Sequence, residues 1–120
     1  MKSTLEHLKA ARAVLAEPIN WHQGDFAAHR AEDGTITPTD SEHLQGRAPN
    51  CWCILGALRK TDKYDNGEAD QALRAAMFEL FGTRKIVAFN DQPGRTHKDV
   101  LAVFDRAIAH EQQWQQGQQQ

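Results

Sequence analysis

Asn50-Cys51-Trp52-Cys53-Ile54-Leu55-Gly56-Ala57-Leu58 contains the longest strongly apolar run of the chain, preceded by a residue that caps helices well. Read as a helix from Asn50, it is hydrophobic on nearly every side, which places it at the centre of a core. Gly56 and Ala57 leave room for another element to cross it closely. The run is far too short to span a bilayer. The fold is therefore that of a water-facing domain built around this segment.

Working outward, the flanking segments carry helical periodicity. Ser3 with Glu6 reads as a capping box, and Leu5, Leu8, Ala11, Val14 and Leu15 follow at helical spacing until Pro18. Beyond the central run, residues 61–67 form a loop in which Asp65 or Asn66 caps a third helix. Ala69, Ala72, Leu73, Ala76, Met77 and Leu80 mark its apolar face, and Gly82 closes it. A last helix opens at Thr96 with Asp99 as capping partner and buries Val100, Leu101, Phe104 and Ile108. Two readings stay open for the short run Ile86-Val87-Ala88-Phe89, a strand or a buried helical turn.

Between the first helix and the central run the pattern changes. Trp21-His22-Gln23-Gly24-Asp25-Phe26 reads as an extended entry, and Asp33-Gly34 is a tight-turn signal that predicts a hairpin over roughly residues 26–37. A polar connection follows, with one helical turn expected around Ser41-Glu42-His43-Leu44. The fold expected is mainly α: a compact bundle of about four helices with a small β-hairpin after the first. It forms a single α-rich domain over residues 1–110, and the Gln-rich tail, residues 111–120, is expected to be disordered.

Composition narrows the function classes. A chain of 120 residues with 40% hydrophobic content suits one domain with one core. No apolar segment near Met1 resembles a secretory signal, so a cytoplasmic location is expected. Cys51 and Cys53, one residue apart, would point in nearly opposite directions on a helix and are read as reduced, buried thiols. The net charge of −2 gives no general attraction to nucleic acid or to anionic lipid. Its distribution is uneven: residues 62–79 carry a net −3, and residues 84–98 a net +3.

Asn90-Asp91-Gln92-Pro93-Gly94-Arg95-Thr96 is the best candidate site. Pro93-Gly94 suits the centre of a type II turn, and Thr96 opens a helix whose free N–H groups can take an anion. Arg95 and His97 would add positive charge. On the functional reading, Asn90, Asp91, Arg95, Thr96 and His97 contact a ligand or partner. On the structural one, turn chemistry accounts for everything except Arg95, which pairs with a carboxylate of the third helix. Gln23 either caps backbone groups or faces a ligand. His22, His29, His43 and His97 form no recognised metal pattern, and neither cysteine has a base or an exposed cationic setting. No metal, cofactor or catalytic residue is expected.

Three segments together resemble a family of small bacterial and phage proteins classed as a domain of unknown function. They are Trp21-His22-Gln23-Gly24-Asp25-Phe26, Trp52-Cys53-Ile54-Leu55-Gly56-Ala57 and Asn90-Asp91-Gln92-Pro93-Gly94-Arg95-Thr96. The resemblance spans most of residues 5–109 and implies domain boundaries and no established activity. Its setting implies an accessory or host-interference role. The function expected is a non-enzymatic binding module with a protein partner, a host or defence complex. Its expected contact face is acidic and formed by Asp65, Glu68 and Asp70, in imitation of nucleic-acid charge. The alternative is a nucleotide or other small anionic ligand at the turn from Asn90 to Thr96, with any enzymatic use falling to Asp91, Arg95 and His97. Nucleic acid ranks third, and no membrane association is expected.

Overall fold

The computed structural model describes residues 3–39, 48–62 and 67–118. Helix α1 (Thr4–Val14) starts on the expected capping box, with the Ser3 hydroxyl accepting from the Glu6 N–H and the Glu6 carboxylate from the Ser3 N–H. It ends ahead of Pro18, which opens a 3₁₀ turn, Pro18–Asn20. The hairpin follows as expected: β1 (Ala27–Arg30) pairs antiparallel with β2 (Ile36–Pro38), His29 opposite Thr37, with Gly34 at φ +90° in the turn.

The central run differs from its helical reading. Cys51 and Trp52 form a third strand, β3 (Cys51–Trp52), opposite Ala28 and Ala27, so the sheet has the order β2-β1-β3. Asn50 does not cap a helix. Its side-chain oxygen accepts from the Arg30 N–H and its amide donates to the Arg30 carbonyl. Helix α2 (Ile54–Thr61) begins later, with Cys53 as N-cap. The cause is tertiary: β1 offers a second edge of unpaired backbone groups, and pairing with it outweighs the local preference for a longer helix.

Helix α3 (Glu68–Phe81) runs between two glycines, Gly67 and Gly82, both in the left-handed region, so Gly82 ends it as expected. Ala69, Leu73, Ala76 and Met77 are buried, whereas Leu80, expected on that face, is exposed. Residues left open between strand and helix form a short helix, α4 (Ile86–Asp91). Helix α5 (His97–Gln118) starts on the predicted pair, with the Thr96 hydroxyl 3.1 Å from the Asp99 nitrogen and the Asp99 carboxylate 3.3 Å from the Thr96 nitrogen. It continues to Gln118 rather than stopping at residue 110, because a nucleated helix adds glutamines at little cost. Five α-helices are present among the described residues instead of about four. The turn expected around Ser41–Leu44 and the Asp65 or Asn66 cap lie outside them.

Leu8, Leu15, Ile54, Leu73, Met77, Phe89 and Phe104 form the centre of a core shared by all five helices. Arg12 and Asp105, 2.6 Å apart, tie α1 to α5, and Glu79 ties α3 to α5 through Arg106 and His110. Gly56 is the closest crossing: a Cβ there would sit 1.8 Å from the Phe26 carbonyl oxygen. No described helix is long and apolar enough to cross a membrane.

Candidate functional site

Asn90, fully buried in the last turn of α4, is where the three motifs meet. Its side-chain oxygen accepts from the Trp21 indole at 2.8 Å and from the Ile54 N–H at 3.2 Å. Its amide donates to the His22 carbonyl at 3.0 Å and to the Asp91 carboxylate at 2.8 Å. Two acceptances and two donations are what a carboxamide can make and a carboxylate or hydroxyl cannot, so asparagine is the residue this position demands.

Neighbouring groups repeat the pattern. Gln23 donates to the carbonyls of Asn90 and Gln92, and the Asp91 carboxylate also accepts from the Gly24 N–H. His22 N–H donates to the Trp52 carbonyl, and Cys53 N–H to that of Phe26. Of the two sequence readings of Gln23, the amide satisfies backbone groups. Segments far apart in the chain are stitched into one hydrogen-bonded junction.

The predicted turn is present. Arg95 N–H bonds the Gln92 carbonyl at 3.0 Å across Pro93-Gly94, with Gly94 at φ +85° as a type II turn requires. Arg95 does not pair with a carboxylate of α3; its side chain is 12% exposed and pairs with Asp99 of α5. Its guanidinium lies 3.8 Å from the Phe89 ring centre and 5.1 Å from that of Phe81. It donates to the Phe89 carbonyl at 3.0 Å and to the Gln92 side chain at 2.7 Å, and approaches Asp99 at 3.5 Å. A cation on a terminal carbonyl of α4 suits the negative end of that helix. Asp99 already brings a carboxylate to the start of α5, the place an external anion would take. His97 reaches back to the Leu15 carbonyl at 2.6 Å, its ring 6.3 Å from that of Trp21.

The acidic residues lie elsewhere. Glu68 accepts from the Thr4 hydroxyl at 2.7 Å. Asp70 pairs with Arg74, whose guanidinium also donates to the Arg84 carbonyl. Asp65 lies outside the described residues.

Beside the junction opens a cavity of about 200 Å³ lined by Gly24, Asp25, Phe26, Cys53, Val87 and Asp91. Its two carboxylates repel an anion, and Asp25 is held by His22 at 2.9 Å. Cys51 and Cys53 are free thiols, and burial pushes both above their ordinary range, which keeps them protonated and poorly nucleophilic. Among the described residues no group of three or more His, Cys, Asp or Glu side chains is placed to hold a metal.

One surface escaped the sequence reading. Phe78 is 51% exposed and Phe81 38%, both off the buried stripe of α3. The Arg84 guanidinium lies 4.5 Å from the Phe78 ring centre. Two phenylalanines three apart on the polar side of an amphipathic helix, followed at once by Arg84-Lys85, were the available signal.

No curated protein and no solved structure matches the chain significantly. A model of a family of unknown function does match, over residues 1–110, and the chain therefore belongs to that family, DUF6197.

Proposed function

We propose that the chain is a small non-enzymatic interaction module that acts through protein contacts. The observation that carries this reading is the inward engagement of the motifs. The side chains of Gln23, Asn90, Asp91, Arg95, Thr96 and His97 are bonded to other parts of the same chain, while Phe78 and Phe81 remain exposed. Polar groups that position one another build a scaffold, and exposed aromatic surface is what a partner covers. Free buried thiols suit a reducing compartment, which supports a cytoplasmic setting. In a phage or mobile element, the setting that the family resemblance implies, such a module would engage a host or defence complex.

Glu68 and Asp70 stand in the first turn of α3, where negative charge already serves the helix dipole. At the turn from Asn90 to Thr96 the small-molecule alternative draws on the cavity beside Asp91, whose acidic lining opposes a phosphate or nucleotide.

Affinity capture with the tagged chain from a bacterial lysate should retain one protein in stoichiometric amount. Thermal-shift screening with nucleotides and phosphorylated metabolites should leave the melting point unchanged. A metabolite at a hundred times its Kd would add about 2.7 kcal/mol of stability, and such a gain with no protein retained would replace this reading with the small-molecule one.

A further inference from the structure

Resting on the interaction reading, we infer that the partner is an acidic protein segment carrying apolar side chains, and that it docks where α3 turns into α4, on Phe78 and Phe81 and the adjoining Arg84 and Lys85. Phe78 and Phe81 are three residues apart on α3 and so share one side of it. Gly82 turns the chain, and Arg74 donates to the Arg84 carbonyl, which holds the turn in place and sets the Arg84 side chain over Phe78. Lys85 is the N-cap of α4, one helical turn before Phe89, whose ring lies 5.0 Å from that of Phe81. The result is an exposed aromatic pair with the Arg84 guanidinium over one ring and Lys85 next to it in the chain.

Charge complementarity identifies the occupant. Residues 78–90 contain Arg84, Lys85 and one acidic residue, Glu79, whose carboxylate is taken up by Arg106 and His110. Neither cation has a carboxylate partner among the described residues. The other arginines of α3, α5 and the turn before α5 do: Arg74 pairs with Asp70, Arg95 with Asp99 and Arg106 with Glu79. A guanidinium stacked on a ring keeps its N–H edge free for a carboxylate, and the ring edges take aliphatic groups. A nucleic-acid strand fits less well. One face of the Phe78 ring and one of the Phe81 ring already carry the chain's own guanidinium, so flat base stacking is restricted there.

The test selects random dodecapeptides displayed on phage against the folded chain. Enriched peptides should alternate Asp or Glu with Leu, Phe or Trp. R84E/K85E should weaken an enriched peptide about tenfold and remove its salt dependence, and Phe78→Ser should weaken it similarly. All these positions are exposed, so both variants should keep the wild-type circular dichroism spectrum and melting point. Binding should return when the peptide's acids are exchanged for lysine and measured against R84E/K85E. Enriched peptides that are basic or uncharged would overturn the inference, as would binding that ignores these variants. So would anisotropy showing that a single-stranded oligonucleotide binds this patch more tightly, or light scattering showing a dimer that Phe78→Ser disperses. If no peptide is enriched and the lysate yields no partner, the interaction reading itself fails. A captured partner indifferent to all three positions removes only the docking surface.

Discussion

At Asn90 a single carboxamide holds an indole, a helix N-terminal amide, a backbone carbonyl and a carboxylate. Asn90→Ala leaves the Trp21 N–H and the Ile54 N–H without that acceptor in a buried site, and each orphaned donor costs about 1–3 kcal/mol. Urea denaturation should therefore show a loss of about 3 kcal/mol or more. A loss under about 1 kcal/mol would mean that the junction is not what holds the three motifs together. Much of this neighbourhood was legible in the sequence. Pro93-Gly94 and the Thr96–Asp99 pair act on residues within one turn, so local rules suffice. The role of Asn90 was not legible. Three of its four partners come from elsewhere in the chain, and an amide preceding Asp91 and a turn looks locally like turn chemistry. Arg95 was left over in the sequence for the same reason, and the ring it covers and the carbonyl it caps are both brought to it by α4.

Among the elements, α2 passes closely over Phe26, the residue just before β1. Gly56→Ala would place a methyl group 1.8 Å from the Phe26 carbonyl oxygen, which is backbone and cannot swing aside. Overpacking of this kind costs about 1–3 kcal/mol or more, and the variant should melt well below the wild type. An unchanged melting temperature would show that the sheet and α2 can separate freely. The clasp between α3 and α5 makes a prediction in pH. Hydrogen bonds from Arg106, and then from His110, hold the Glu79 carboxyl at about 2, below its ordinary 4.5. A carboxyl whose pKa is depressed by folding stabilises the fold above its unfolded value, and that contribution is lost as pH falls through the folded one. Glu79→Gln should therefore lower the denaturation midpoint at neutral pH, and the gap to wild type should close between about pH 4.5 and 2. Because the group is exposed, the gap should also shrink with added salt. A gap independent of pH would point to lost packing instead. Capping and periodicity locate α1, the apolar stripe and C-terminus of α3 and the start of α5, but not the start of α2, the state of α4 or β3. Cys51-Trp52 is apolar in either state, and only the open edge of β1 selects the strand.

For the whole molecule, the extent of α5 bears on what is essential. Its last turns carry glutamines and Trp114, which is 62% exposed, and they add no residue to the core. Truncation after Glu111 keeps the His110–Glu79 contact. It should change stability by no more than about 0.5 kcal/mol, and amides 112–118 should exchange with deuterium far faster than those around Phe104. A large loss on truncation would assign the end of α5 a packing role. Composition and periodicity by themselves determined a mainly α domain, the start of α1, the end of α3 at Gly82, the hairpin, the turn at Pro93-Gly94 and the opening of α5. Each of these depends on interactions within a few residues, which the order of amino acids specifies directly. Tertiary structure alone decided that the central run begins as a strand, that three distant motifs meet at Asn90, that Arg95 closes α4, and that Phe78 and Arg84 share an exposed surface. Those outcomes depend on which backbone edges and side chains the chain brings within hydrogen-bond or contact distance when it closes on itself.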